Sequence, residues 1–343
     1  MDQSVGLGDS RDERDAPLLR TRLTDALGVQ HPLMLAGMGG VSYHRLVAAV
    51  SEAGGFGCLG ASVMSTEQMV DEMRQVKKAT AKPFGVDLLT AMPGDMVAQV
   101  ERLIEEGASV FVAGLGVPAD VVDLCHRHGV LVVNMCGKVS HARTAVDAGC
   151  DIVVAQGTEA GGHTGQVATM PLVPLIVDAV GDRVPVVAAG GIFDGRGLAA
   201  ALALGADGVW LGTRFIATVE ARAVHGYKDA LVRGAEDGTV ISRAYSGKTM
   251  RVIRNRYTAD WEQRVDELQR FPAQAVRSMQ DGAFHLGGDE TTDGIDPEIE
   301  CYPAGQGVGG IDAVVPAGDV VRTIVAEAHT VLRRIGSLAA VPA

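Results

Sequence analysis

One histidine of the sequence lies in a loop of glycines and small polar residues, where its side chain can reach a ligand. His163 directly follows Gly161 and Gly162. An imidazole has an unperturbed pKa of about 6.5, so near neutral pH it accepts a proton from an acidic C–H bond or returns one to a carbanion. Glycines beside it let a flat ligand approach the backbone closely. The sequence therefore indicates a titratable group on a loop that faces a flat ligand; the alternative is a surface residue beside glycines that only form turns.

Two other glycine-containing segments carry the residues expected of an anion site. Gly190 and Gly191 follow one apolar run, and Gly212 and Thr213 follow the next. Where such loops adjoin, backbone N–H groups and a helix N-terminus present unpaired donors and partial positive charge to an anion. The two segments therefore predict a ligand that carries a phosphate group. The alternative is a pair of tight turns without a ligand.

A further glycine-rich segment, residues 37–42, is similar to a dinucleotide-binding fingerprint but departs from it. The segment follows an apolar run and opens a helical stretch, as that motif requires. The third glycine position is Ser42, however, and the next apolar run, residues 55–60, ends without an acidic residue for the ribose hydroxyls. We interpret Gly37 and Met38 instead as part of a loop that lets a flat ring lie close to the backbone.

These loops each follow one of eight short apolar runs. The runs are continuous rather than alternating, which is typical of parallel strands that are buried on both faces. The predicted strands are residues 32–38, 55–60, 84–89, 109–114, 130–135, 152–157, 185–191 and 208–213. Amphipathic stretches of helical length lie between them, at residues 43–53, 66–78, 95–106, 119–128, 139–148, 171–180 and 197–204.

A repeated phrase marks the boundary between helix and strand. Gly107, Gly149 and Gly205 each end a predicted helix and are followed within three residues by a predicted strand. Glycine tolerates the left-handed conformation that turns the chain there. Eight such units predict an α/β fold closed into a (β/α)8 TIM barrel, because open doubly wound sheets usually have five or six strands. In that fold the loops after the strands meet at one mouth, and those after strands seven and eight commonly bind phosphate.

The pattern changes after the eighth strand, which predicts one barrel with an insertion. Residues 234–311 are rich in Gly, Asp, Arg and Met and are predicted to form a helical insertion, or lid, over the barrel mouth. Residues 21–233 and 312–343 form the barrel, and residues 318–335 complete it as an outer helix with apolar side chains at helical spacing. Residues 1–20 are expected to be a disordered tail.

Composition limits the classes of partner and the compartment. The formal net charge of −12 argues against nucleic acid and anionic membranes, which bind clustered positive charge. The polar N-terminal stretch lacks the apolar core of a signal peptide, and no apolar run reaches the ~20 residues of a spanning helix. We therefore expect a cytoplasmic protein. The five cysteines show no C-x-x-C spacing, so we expect reduced thiols and no metal site.

The motifs together resemble the nitronate monooxygenase family, also called 2-nitropropane dioxygenase-like. The similar segments are Gln156 to Gly165 with its Glu-Ala-Gly-Gly-His core, the Ala-Gly-Gly-Ile turn at residues 189–192 and the Leu-Gly-Thr-Arg-Phe sequence at residues 211–215. The resemblance spans roughly residues 22–220, and residues 303–310 add an Ala-Gly-Gln-x-x-Gly segment. It implies a (β/α)8 barrel that binds FMN without a covalent link, with the isoalloxazine ring at the barrel mouth.

The resemblance also implies a role for each matching residue. His163 matches the catalytic histidine of the family. Flavin contacts are implied for Met38 beneath the ring, for Gln156, Gly161 and Gly162, and for the phosphate-binding residues Gly190, Gly191, Gly212 and Thr213. Gln306 is expected near the flavin or the substrate, and Gly37 in the loop that faces the ring.

One residue departs from the family pattern. Residues 84–87 read Phe-Gly-Val-Asp, whereas the family commonly has Asn at the last position. We expect Asp87 to contact the flavin or the substrate. A neutral amide can donate a hydrogen bond there, whereas an ionised carboxylate only accepts and repels an anionic nitronate or a reduced flavin. A cationic partner for Asp87 is the alternative.

The function implied is an FMN-dependent oxidoreductase, a nitronate monooxygenase that oxidises alkyl nitronates with O2 to carbonyl compounds and nitrite. The same motifs occur in flavin-dependent enoyl-acyl-carrier-protein reductases and related acyl-CoA reductases, so an NAD(P)H-dependent reductase of an acyl thioester is the alternative. A barrel that binds a phosphorylated ligand without redox chemistry is a second one. The sequence leaves the physiological substrate and the oligomeric state open.

The insertion offers one observation on the substrate. Basic residues stand close to aromatic residues there, a combination that can bind the phosphates and adenine of a thioester carrier or of NAD(P)H. The residues are Arg243, Lys248, Arg251, Arg254 and Arg256 with Tyr245, Tyr257 and Trp261. The alternative is a solvated lid in which these cations pair with Asp260, Glu262 and Asp266.

Overall fold

The computed structural model describes residues 19–89, 96–114, 116, 118–285 and 287–339. The tail predicted to be disordered therefore lies outside the described residues, except for its last two. The strands are β1 Leu33–Leu35, β2 Gly57–Gly60, β3 Phe84–Leu88, β4 Val110–Ala113, β5 Leu131–Cys136, β6 Ile152–Gln156, β7 Gly162–His163, β8 Val186–Ala189, β9 Gly208–Leu211, β10 Thr239–Ser242 and β11 Met250–Ile253.

Helices alternate with these strands along most of the chain. The α-helices are α1 Arg22–Leu27, α2 His44–Glu52, α3 Thr66–Ala79, α4 Met96–Glu105, α5 Ala119–Arg127, α6 Val139–Asp147, α7 Thr169–Val180, α8 Gly195–Ala203, α9 Thr213–Ile216, α10 His225–Val232, α11 Arg256–Glu262, α12 Ala273–Gln280 and α13 Ala317–Ala339. Two short 3-10 helices span Val265–Glu267 and Gln306–Gly310.

Eight of the strands form one parallel sheet that closes on itself. Its order is β1-β9-β8-β6-β5-β4-β3-β2. A parallel bridge between Met34 and Phe56 joins the two end strands, and the N–H of Leu35 donates to the carbonyl of Phe56 at 2.8 Å. The predicted (β/α)8 barrel is confirmed, with all eight predicted strands present and shortened by a few residues at their ends.

Local sequence signals explain where the helices begin and end. Ser65 accepts a hydrogen bond from the N–H of Gln68, whose side chain accepts one in return from the Ser65 N–H, so a capping box starts α3. At the other end of three αβ units stand Gly107, Gly149 and Gly205, with φ of +82°, +98° and +91°. The predicted left-handed glycine turns are therefore present, and they feed β4, β6 and β9.

The apolar core has two layers, as a filled barrel requires. Inside the barrel, alternate strand residues such as Phe56, Val112, Val154 and Trp210 pack against one another. Leu23 of α1 packs against this group, so that helix lies over one end of the barrel. The opposite strand faces pack against the surrounding helices in a larger cluster. Each fully buried large side chain contributes roughly 1.5–3 kcal/mol to stability.

The segment predicted as a helical insertion contains strands as well as helices. β10 pairs antiparallel with β11, and β11 pairs with β7, which belongs to the loop after β6. The strands were missed because each is only two to four residues long and β7 lies in a glycine-rich loop. This three-stranded sheet joins the segment to the loop that carries His163. A lid function for residues 234–311 stays a prediction.

The aromatic residues of this segment do not lie on its surface. Tyr245, Tyr257 and Trp261 are buried in a small core of their own, where the first two rings stack at 5.1 Å. Arg251 is also buried, and its guanidinium donates to the carbonyl of Thr158 at 2.9 Å. The other four basic residues are exposed, so the cations are mostly solvated while the rings that were expected to bind adenine are not accessible. The error arose because closeness in sequence does not show which way side chains point.

No helix in the described part of the chain is long and apolar enough to cross a membrane.

Candidate active site

A cavity of about 390 Å³ lies at the ends of the barrel strands that carry the predicted site residues. It is lined by eleven of the twelve predicted residues, namely Gly37, Met38, Asp87, Gln156, Gly161, Gly162, His163, Gly190, Gly191, Gly212 and Thr213. Strand ends β1, β3, β6, β8 and β9 are thus brought together at one place. The residues were predicted from segments that are far apart in the sequence, from Gly37 to Thr213, and that a closed barrel places side by side.

His163 projects into this cavity from β7. Its Nε2 atom lies 3.0 Å from Oγ of the buried Ser246, and its backbone carbonyl accepts a hydrogen bond from the amide of Gln156 at 3.1 Å. Its backbone pairs with Met250 of β11. The barrel loop and the insertion therefore hold the imidazole from two sides, so its position is fixed by tertiary contacts rather than by the loop alone.

The surroundings of His163 favour its neutral form. The residue is exposed to the cavity, yet the protein atoms around the ring displace much of its water. This desolvation lowers the pKa of His163, and the positive charge of Lys248 lowers it further. An imidazole that is neutral at physiological pH is a proton acceptor, which is the form that removes a proton from carbon.

The glycines around the cavity are required by the backbone and by close packing. Gly190 and Gly191 have φ of +112° and +73°, in the left-handed region that other residues rarely adopt. A Cβ at Gly190 would lie 2.6 Å from Oγ1 of Thr169, and one at Gly161 would lie 2.8 Å from the backbone of Ala304. Side chains are therefore excluded, and the backbone itself forms the wall.

Backbone donors at this wall have no protein partner. Within the described residues, the N–H groups of Gly190, Gly191 and Thr213 donate to no other group of the chain. Three backbone N–H groups without a protein acceptor that line one cavity fit an anionic ligand. The residues present are those that an FMN phosphate would need.

Asp87 lies at the end of β3 with its carboxyl group in the same cavity. The carboxyl has no hydrogen-bond partner among the described residues, and its Cβ is so close to Gly37 that a Cβ there would lie 2.2 Å away. Burial raises the pKa of Asp87 well above its ordinary value. A carboxyl group that stays protonated donates a hydrogen bond, as the amide of Asn does. The expected repulsion of an anion by Asp87 therefore does not apply while it is protonated.

Gln306 is the one predicted residue that does not line this cavity. Its backbone N–H donates to the carbonyl of Glu159 at 2.9 Å, and its side chain faces an adjoining pocket behind Gly190 and Gly191. Glu159 in turn accepts hydrogen bonds from the N–H and the hydroxyl of Thr169. Gln306 thus fixes the loop after β6 through its backbone, and its expected place near the flavin or the substrate stays a prediction.

The family is decided by a match along most of the sequence. The family model described as nitronate monooxygenase matches residues 20–97 and 90–327. The chain belongs to the nitronate monooxygenase family. It is therefore an oxidoreductase of a flavin-dependent family that acts on small molecules, and the alternative of a barrel without redox chemistry is set aside.

The names of related proteins give different activities. A hydroxy-methyl-oxo-octahydroindene carboxyl-CoA dehydrogenase of Mycobacterium tuberculosis is 41% identical over 69% of this chain and 66% of its own length, just under two thirds. A probable nitronate monooxygenase of Staphylococcus aureus is 31% identical over 80% of this chain and 90% of its own. The solved structure of FabK from Thermotoga maritima is 34% identical, covers 93% of this chain and 99% of its own, and has a TM-score of 0.83.

Several cavity residues were not predicted from the sequence. Ser246, His285 and Glu300 lie far from the glycine-rich motifs of the nitronate monooxygenase family. Two of them line the cavity, and Ser246 contacts His163. There was one signal in the sequence for these residues. The insertion follows the eighth strand, so some residues of the insertion are expected to face the barrel mouth. Which ones do so depends on tertiary packing.

Proposed function

We propose that the protein is an FMN-dependent oxidoreductase in which His163 transfers the proton, and that it acts as a nitronate monooxygenase. The observation that carries the proposal is the cavity that an imidazole with a lowered pKa and three unpaired backbone N–H groups line together. The N–H groups suit the phosphate of FMN, and the imidazole suits an acidic C–H bond. A simple structural loop requires neither.

Different residues would bind different parts of FMN. Gly190, Gly191 and Thr213 would hold the phosphate through their backbone, while Gly37 and Met38 would lie against the ring. When bound, FMN would accept electrons from the substrate, which no side chain of the protein can do. The neutral form of His163 would take a proton from a nitroalkane, or hold one near the nitronate. Ser246, 3.0 Å from Nε2, would fix the orientation of the ring.

A nitronate is compatible with Asp87 when the carboxyl is protonated, the form that burial favours by raising its pKa. In this form it would donate a hydrogen bond to an oxygen of the nitronate or of the flavin. The product of oxidation by O2 would be a carbonyl compound and nitrite. The resemblance to the probable nitronate monooxygenase of Staphylococcus aureus supports this substrate class.

The test replaces His163 by alanine. We expect His163→Ala to keep its bound FMN, because the imidazole contributes little packing, and to lose at least about a hundredfold in turnover of a neutral nitroalkane, whose C–H proton the imidazole would remove. The exposed His141 of α6 is the matched control, and His141→Ala should retain wild-type turnover. Turnover of His163→Ala within a few-fold of wild type would reject the proposed role.

A second candidate function is supported by the comparisons. The identity of 41% to a carboxyl-CoA dehydrogenase favours an oxidoreductase that acts on an acyl thioester, with NAD(P)H or its oxidised form as the partner of the flavin. The two candidates differ in one assay. Nitrite release from an alkyl nitronate without NAD(P)H supports the monooxygenase, whereas bleaching of the flavin by NAD(P)H supports the thioester enzyme.

A further inference from the structure

A second imidazole lines the cavity, away from His163. Nδ1 of His285 lies 2.6 Å from Oε2 of Glu300, and the backbone N–H of His285 donates to Oε1 of the same carboxylate at 3.0 Å. Glu300 is buried, with 4% of its side chain exposed, whereas 43% of the His285 side chain is exposed. Both residues line the cavity. A buried carboxylate thus holds an imidazole at the cavity wall.

The pairing decides which hydrogen bond the imidazole can make. Since Glu300 accepts at both oxygens, Nδ1 of His285 carries the proton that it donates. Nε2 is then the free nitrogen, and it makes no hydrogen bond to the described residues. A neutral imidazole in this tautomer accepts at Nε2. The group that fits it is a hydrogen-bond donor such as a hydroxyl.

The backbone of β11 indicates the size of a molecule that could contact both imidazoles. His163 lies opposite Met250 along one edge of β11, and the carbonyl of Tyr302 accepts the N–H of Ile253 further along the same edge. Three residues of a strand at about 3.4 Å each give roughly 10 Å between these backbone points. Glu300 precedes Tyr302 by two residues, so its backbone lies toward the far end. From this backbone separation we expect a substrate longer than a nitronate of two or three carbons.

We infer that His285, positioned by Glu300, recognises a hydroxyl group on an extended substrate whose reacting carbon lies beside His163. This inference rests on the proposed function and narrows its substrate class to hydroxylated molecules longer than simple alkyl nitronates. His285 is the residue that contacts the substrate. Glu300 is a positioning residue that acts through the tautomer of His285.

The experiment compares alkyl nitronates with three different ends, namely methyl, hydroxyl and methoxy, each made with chains of six, eight and ten carbons. The methoxy end is included because it keeps the oxygen and lacks the hydrogen-bond donor. With the holoenzyme we expect the hydroxyl probe of the best length to have a KM about three- to tenfold below that of the other two, with similar kcat, since one hydrogen bond contributes roughly 0.5–1.5 kcal/mol.

Variants assign the preference to the two residues. In His285→Leu the ratio of KM between hydroxyl and methyl probes should fall to about one, whereas His141→Leu should keep the wild-type ratio. Glu300→Gln still offers an oxygen to Nδ1–H and should retain part of the preference, and Glu300→Ala should lose it. Equal KM for all ends in wild type, or a preference that survives His285→Leu, would overturn the inference.

Binding without turnover separates this inference from the proposed function. The same probes are titrated into His163→Ala holoenzyme, and their Kd is read from the change in flavin absorbance. A hydroxyl preference that His285→Leu abolishes in this background supports the inference even if wild type oxidises no nitronate. If wild type oxidises nitronates and neither KM nor Kd shows the preference, the inference fails and the proposed function stands.

Discussion

The carboxyl group of Asp87 gives a prediction whose size follows from its surroundings. Burial raises its pKa well above the ordinary value of about 3.9. As pH rises above that value, the unfolded chain ionises at this residue while the folded protein stays neutral. The unfolded state is thereby favoured by about 1.4 kcal/mol per pH unit, until the pH reaches the pKa of the folded state.

Asp87→Asn removes this pH dependence, because the amide does not ionise. The variant is expected to gain on wild type in free energy of unfolding by about 1.4 kcal/mol for each pH unit above roughly pH 4. The assay is urea unfolding of both flavin-free proteins at several pH values between about 4 and 7. The exposed Asp293 provides the control, since Asp293→Asn should show a difference that does not change with pH.

A stability difference between Asp87→Asn and wild type that does not grow with pH would contradict this prediction. If the difference between Asp87→Asn and wild type is constant with pH, or shrinks as pH rises, Asp87 is ionised in the folded protein. It would then repel a nitronate, and the reasoning that reconciles this residue with an anionic substrate would be refuted.

Two further predictions concern the cavity. Gly191→Asp should lose bound FMN while remaining folded, because it places a carboxylate near the proposed phosphate site; FMN content equal to that of wild type, measured on the released flavin, would put the phosphate elsewhere. Lys248→Met should move the acidic limb of kcat/KM to higher pH by a fraction of a unit, because desolvation and then the charge of Lys248 lower the pKa of His163. An unchanged or lowered limb in the pH profile would contradict that assignment.

The barrel and the loops that form the cavity could be predicted because their signals are local. Continuous apolar runs identify buried parallel strands, and Gly107, Gly149 and Gly205 mark the turns between helix and strand. Once eight strands close into a barrel, their C-terminal loops must meet. Gly190 and Gly191 have positive φ and line the cavity, and their contact with FMN stays a prediction.

The insertion could not be predicted in the same way, because its structure depends on contacts between distant residues. β7 is a strand only because β11 lies beside it, nearly ninety positions away in the sequence. The hydrogen bond between His285 and Glu300 joins two residues that are fifteen positions apart in the sequence and belong to no helix or strand. Tyr245 and Trp261 were taken for a surface patch although they form a buried core. Composition indicates aromatic and basic content and does not give the direction of side chains.

The central claim is that loops from β6, β8 and β9 jointly bind FMN beside His163. The most direct measurement is the visible absorption spectrum of the purified protein, with identification of the flavin released on denaturation. We expect a yellow protein with equimolar FMN, or a colourless one that takes up equimolar FMN when it is supplied. A protein that binds no FMN under either condition would contradict the account.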